Sequence, residues 1–91
     1  MKVIALLSFE KSVAALTSEE KRRVAHGLEA FNSFLVDRHA SHGFGLKKIG
    51  PHHYEFRVGL RIRVLLKFQE DIYWLVLAGN HDEIKKYLKR A

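Results

Sequence analysis

The stretch "YEFRVGLRIRVLLKF" (Tyr54–Phe68) sets Arg57, Arg61, Arg63 and Lys67 into a run that otherwise reads as two strands and a turn. Lys and Arg are rarely buried unless paired, and Glu55 is the only acid within the run. Strand side chains alternate between two faces, so a pairing register can be tested by how it sorts polarity. A hairpin loop of Gly59, Leu60 and Arg61 has a common length and a glycine for positive φ. It pairs Val58 with Ile62, Phe56 with Val64 and Tyr54 with Leu66 on one face. The other face receives Arg57 with Arg63, Glu55 with Leu65 and His53 with Lys67. A shorter loop would mix the two faces, so polarity selects this register.

The same reasoning applied to Gln69, Glu70 and Asp71 as the next loop predicts Phe68 opposite Ile72, Leu66 opposite Trp74, Val64 opposite Val76 and Ile62 opposite Ala78. That extends the apolar face. The cationic face then gains Tyr73, Leu75 and Leu77 and is expected to be an open, basic, partly apolar groove. Gly79 falls opposite Arg61, and His81 leaves the sheet near Arg61 and Arg63. Arginine's planar fork matches phosphate oxygens, and a histidine can give or take a proton near neutral pH. Arg57 and Arg63 repel across the strands, and an anion between them would relieve that repulsion.

Outward from this core, residues 2–8 read as a first strand and Glu10 to Leu16 as a short helix with Val13 and Leu16 inward. "TSEE" is a capping box: Thr17 can accept from the Glu20 N–H while the Glu20 side chain reaches back. The helix it opens aligns Val24, Leu28, Phe31 and Leu35 in one stripe. "DRHASHGFG" (Asp37–Gly45) reads as a loop, "LKKIG" as a short strand, and Gly50-Pro51 as a turn. Asn80 and Glu83 have capping-box spacing before a last helix whose inward positions are Ile84, Tyr87 and Leu88. The order β-α-α-β-β-β-β-α predicts an α+β fold, one domain over residues 1–91, with helices packed on one face of a largely antiparallel sheet.

Sixteen Lys and Arg against ten Asp and Glu give a net charge of +6, with six further histidines. Such a balance on a small domain points to a polyanionic or acidic partner. No apolar run approaches the ~18 residues that span a bilayer, and "MKVIALLSF" lacks a cleavage site, so it reads as a strand rather than a leader. The chain has no cysteine, which removes disulfides and thiolate zinc sites and suits a cytoplasmic location. His39 with His42 and His52 with His53 lack the companions a zinc site needs. "GFGLKKIG" lacks the spacing of a nucleotide phosphate loop. Neither a metal nor a cofactor is expected.

With the Arg-bearing hairpin, the "LKKI" segment and the ending "GNHDEIKKYLKR" in this element order, nearly the whole chain resembles the RelE/ParE superfamily of type II toxins. The resemblance implies a toxin neutralised by a cognate antitoxin. RelE-like members cut mRNA on the ribosome by attack of a 2′-hydroxyl on the adjacent phosphate, whereas ParE-like members poison DNA gyrase without cutting RNA. A non-toxic binding module on the same fold is the third reading. Carried over by position, the resemblance implies catalytic roles for Arg63, Glu55, His81 and Tyr87, with Arg63 steadying phosphate. Glu55 would be the base and His81 the acid, because this chain has them where the RelE-like pattern has lysines and arginine. Tyr87 also fits an inward core position. Lys47, Lys48, Arg57, Arg61 and Lys67 are the expected phosphate contacts.

Overall fold

The computed structural model describes residues 2–37 and 44–90. The elements are β1 (Lys2–Ala5), α1 (Leu7–Ala14), α2 (Ser18–Val36), β2 (Lys47–Lys48), β3 (His53–Arg57), β4 (Arg63–Gln69), β5 (Ile72–Gly79) and α3 (His81–Arg90). The expected order holds. The sheet runs β1-β5-β4-β3-β2, antiparallel except where β1 lies parallel to β5.

The β3–β4 register is the one polarity selects. Arg57 lies opposite Arg63, Phe56 opposite Val64, Glu55 opposite Leu65, Tyr54 opposite Leu66 and His53 opposite Lys67. The Val58 N–H donates to the Ile62 carbonyl at 3.0 Å, closing the loop, and Gly59 takes φ 149°.

The β4–β5 register differs from the expected one. The turn is only Glu70 and Asp71, at φ 55° and 64°, so Gln69 pairs with Ile72 and Phe68 with Tyr73. Positive φ at both central residues gives the hairpin a twist that suits its strands. A β-bulge between Leu65 and Leu66 then moves β5 one further residue along β4. Beyond it Val64 meets Ala78, and Gly79 meets Arg63 rather than Arg61. The bulge also turns Val76 and Leu77 to the same side of the sheet, as an extra strand residue can. Tyr73 and Leu75 therefore join the core under α1 and α2, and Trp74 lies across from Lys67 on the opposite face.

That opposite face is not an open groove. The stripe of α3 (Ile84, Tyr87 and Leu88) packs on Leu65, Val76 and Leu77, and Leu65 and Val76 are fully buried there. Helices thus cover both faces: α1 and α2 one, α3 the other. An amphipathic helix must bury its stripe, and the paired leucines and the bulge supply the seat. What remains of the cationic face lies toward the hairpin end of the sheet.

On the main side, Phe31 packs with Phe44, Phe56 and Tyr73 at ring separations of 5.9, 5.4 and 5.2 Å. The Thr17 capping box forms in both directions. At Gly27, α2 comes so close to β3 that an added Cβ would collide with Val58 Cγ1.

The first strand is shorter than expected and α1 starts earlier, at Leu7, because β1 gives way to a helix that continues its role. Leu6 N–H donates to the Leu75 carbonyl, Ser8 Oγ donates to the Val76 carbonyl, and Ala78 N–H donates to Ser12 Oγ at 2.9 Å. Two serines thus satisfy the edge of β5 where β1 no longer reaches it. Ser12→Ala leaves the Ala78 amide, on a residue 3% exposed, without its acceptor. The expected loss is about 1–3 kcal/mol of unfolding free energy in urea titration, whereas Ser12→Thr should keep most of it.

Candidate functional site

The hairpin end of the sheet gathers residues from three elements. On β4, Arg63 faces the α3 side. Its Nη1 lies 2.6 Å from His81 Nδ1, in the first turn of α3, and 3.7 Å from Glu55 Oε2 on β3. The Arg63 and Glu55 side chains are only 18% and 12% exposed. This juxtaposition follows from the local folding of each element. The register of β3 and β4 sets Glu55 diagonal to Arg63. The shift of β5 then delivers His81 to Arg63. The reciprocal bonds between Asn80 and Glu83 (2.9 Å each) fix the start of α3 and therefore the place of His81.

A guanidinium only donates hydrogen bonds. Arg63 therefore donates to Nδ1, which must be the unprotonated nitrogen of the ring, and the proton is assigned to Nε2. The ring is oriented by an arginine on one side and presents an N–H on the other. Glu55 sits beside the same guanidinium with Lys47 directly across on β2. The group thus combines a fixed cation, an acceptor and a donor.

Two clefts open onto it. One, of about 380 Å³, is lined by Phe44, Lys47, Glu55, Arg57, Arg63 and His81, among others. The second, about 340 Å³, runs toward α3 and adds Ile49, Ile84, Lys85 and Leu88. Arg57 is exposed opposite Arg63. Lys47 lines both clefts. Lys48, by alternation, shares its face with Tyr54 and lies on the other side of β2. Arg61 sits in the hairpin loop next to Glu19, Glu20 and Arg23. Lys67, between His53 and Trp74, lies toward the other end of β4. His53, facing Lys67, has its pKa lowered from 6.5 by burial first, then by Lys67 and His52. It adds no charge to that face at neutral pH. Tyr87 is half-buried against the Leu65, Val76 and Ile84 cluster and is not among the residues lining either cleft.

Sequence reasoning missed Phe44 and Lys85. Phe44 is the one large apolar residue in a polar, glycine-bearing segment, and that oddity was the available signal: its ring joins Phe31, Phe34 and Phe56. The His39 and His42 pair lies outside the described residues. Among the described residues, no three His, Cys, Asp or Glu side chains cluster as metal ligands would, and no helix is long and apolar enough to cross a membrane.

A mixed five-stranded sheet with a helix pair on one face, a terminal helix on the other and this element order is a RelE/ParE-like toxin fold. A solved structure of a YoeB/ParE toxin from Agrobacterium tumefaciens superposes with a TM-score of 0.51, over 89% of this chain and 99% of that one, at 15% identity. No family model and no curated protein sequence matches the chain, so the likeness is one of fold.

Proposed function

We propose that this chain is the toxin of a type II toxin–antitoxin pair and acts as a ribosome-dependent mRNA endoribonuclease in the cytoplasm. The observation that carries the reading is the Arg63–His81 contact with Glu55 alongside. In the reaction, Glu55 takes the proton from a ribose 2′-hydroxyl as the O2′–P bond forms. Arg63 and Arg57 offset the charge that builds on the phosphorane oxygens. The P–O5′ bond breaks as His81, doubly protonated once the substrate phosphate has drawn Arg63 away from Nδ1, gives its Nε2 proton to the departing O5′ and returns to the neutral ring. The products are a 2′,3′-cyclic phosphate and a 5′-hydroxyl, with no metal needed for the balance. The fold match supports the toxin class, and an antitoxin would silence such a site by covering its cations with an acidic segment.

The test is a translating extract to which the protein is added, with mRNA ends mapped. Cyclic-phosphate and 5′-hydroxyl ends at ribosome-occupied codons, and little cutting of naked mRNA, are expected. Intact mRNA accompanied by gyrase inhibition would replace this reading with the ParE-like one. Intact mRNA with salt-dependent RNA affinity and no toxicity would leave only a binding module.

A further inference from the structure

A larger groove, about 650 Å³, runs between α2 and the β3–β4 hairpin. Its walls include Arg22, Arg23 and His26 of α2, together with Phe44, Arg57 and Val58. Glu19 also lines it, but its Oε1 accepts from Arg23 Nη2 at 2.9 Å, so that acid is already compensated. Arg22, His26 and Arg57 are exposed. Phe44 and Arg57 line both this groove and the cleft that holds Arg63 and His81. The two spaces are therefore neighbours that share a wall, and Arg57 stands at their junction.

We propose that the groove binds single-stranded RNA flanking the cleaved bond, with backbone phosphates at Arg57, Arg22 and His26 and a base against Phe44. This rests on the RNA reading above and extends it from one phosphodiester to a path of several nucleotides. The groove has the two features single strands require: cations spaced along a track and an apolar, aromatic wall for unstacked bases. An acidic protein segment would use the same cations but would leave the shared wall with the Arg63 cleft unexplained.

The path explains a choice within α2. A glycine in a helix interior is less favourable than alanine. Here Gly27 lets the helix close on Val58, and this contact forms the floor of the groove.

The experiment compares the binding of 2′-O-methyl oligouridines, a dinucleotide and an octanucleotide, by fluorescence anisotropy at several salt concentrations. Wild type should bind the octanucleotide at least ~10-fold more tightly, and Arg22→Ala/His26→Ala should lose that gain, with a shallower salt slope and unchanged dinucleotide affinity. An octanucleotide that binds no tighter than the dinucleotide, or a gain that survives the double substitution, overturns the groove. So does a Glu-rich peptide that binds more tightly than the octanucleotide and is lost in the same variant. Cleavage is read separately. Undiminished mRNA cutting by Arg63→Ala would sink the catalytic assignment, whereas a length gain lost only in the groove variant would still support the path.

Discussion

Arg63→Ala is expected to lower mRNA cleavage by roughly 10²–10³-fold while leaving the fold intact, because a preorganised cation aimed at developing phosphate charge is worth that much. The substitution removes more than charge. Arg63 also donates to His81 Nδ1, so without it the ring is free to rotate and to take the other tautomer. Loss of the guanidinium costs little stability by comparison. It faces Arg57 across the ladder, and relief of that repulsion offsets part of the lost contact with Glu55. Arg63→Lys should recover part of the rate, since a lysine keeps the charge but not the fork. The measurement is single-turnover cleavage on stalled ribosomes beside a urea unfolding curve. A variant that cuts at the wild-type rate would end the assignment, and one that unfolds would show that Arg63 serves packing instead.

Phe31→Ala is the largest expected effect on stability, about 4 kcal/mol. Phe31 is 1% exposed and touches rings from three directions: Phe44, Phe56 and Tyr73, the last edge-on at an interplanar angle of 90°. Truncation removes transfer free energy and leaves a cavity walled by rigid rings that collapse poorly into it. For a domain of this size that is a large share of the whole unfolding free energy. Urea titration should show a lower midpoint with an unchanged slope. A loss under about 1 kcal/mol would mean that the neighbouring rings close the gap. Since Phe44 lines the RNA groove as well, this variant should also weaken octanucleotide binding more than dinucleotide binding.

Most of the fold was legible because polarity and position agreed. Alternation in Tyr54–Phe68 fixed the β3–β4 register to the residue, and the Thr17 and Asn80 spacings located two helix starts. The β4–β5 pairing was not legible. A turn with positive φ at both central residues usually advertises itself with Asn-Gly or Asp-Gly. Here Glu70-Asp71 carries no glycine, so nothing in the sequence marks a two-residue turn. The bulge is silent in sequence too, since Leu75, Val76 and Leu77 suit either face. Those two shifts account for Tyr73 being in the core, for Trp74 leaving it and for the second small core under α3. They also decide the site. Arg63 and Glu55 follow from the legible register, but the contact between Arg63 and His81 depends on the illegible one. Phe44 and the α2 cations come together only through tertiary packing, which no local pattern encodes.

The pairing of β1 with β5 has a consequence for biosynthesis. The first strand of this sheet in chain order is hydrogen-bonded to the last. Closing so long a segment carries a high entropic cost until the final strand is present. His81 follows that strand immediately. A nascent chain therefore carries Arg63 and Glu55 without their partner until β5 and His81 have been made. On the proposed reading, a chain not yet extended to His81 would lack the contact on which cleavage rests.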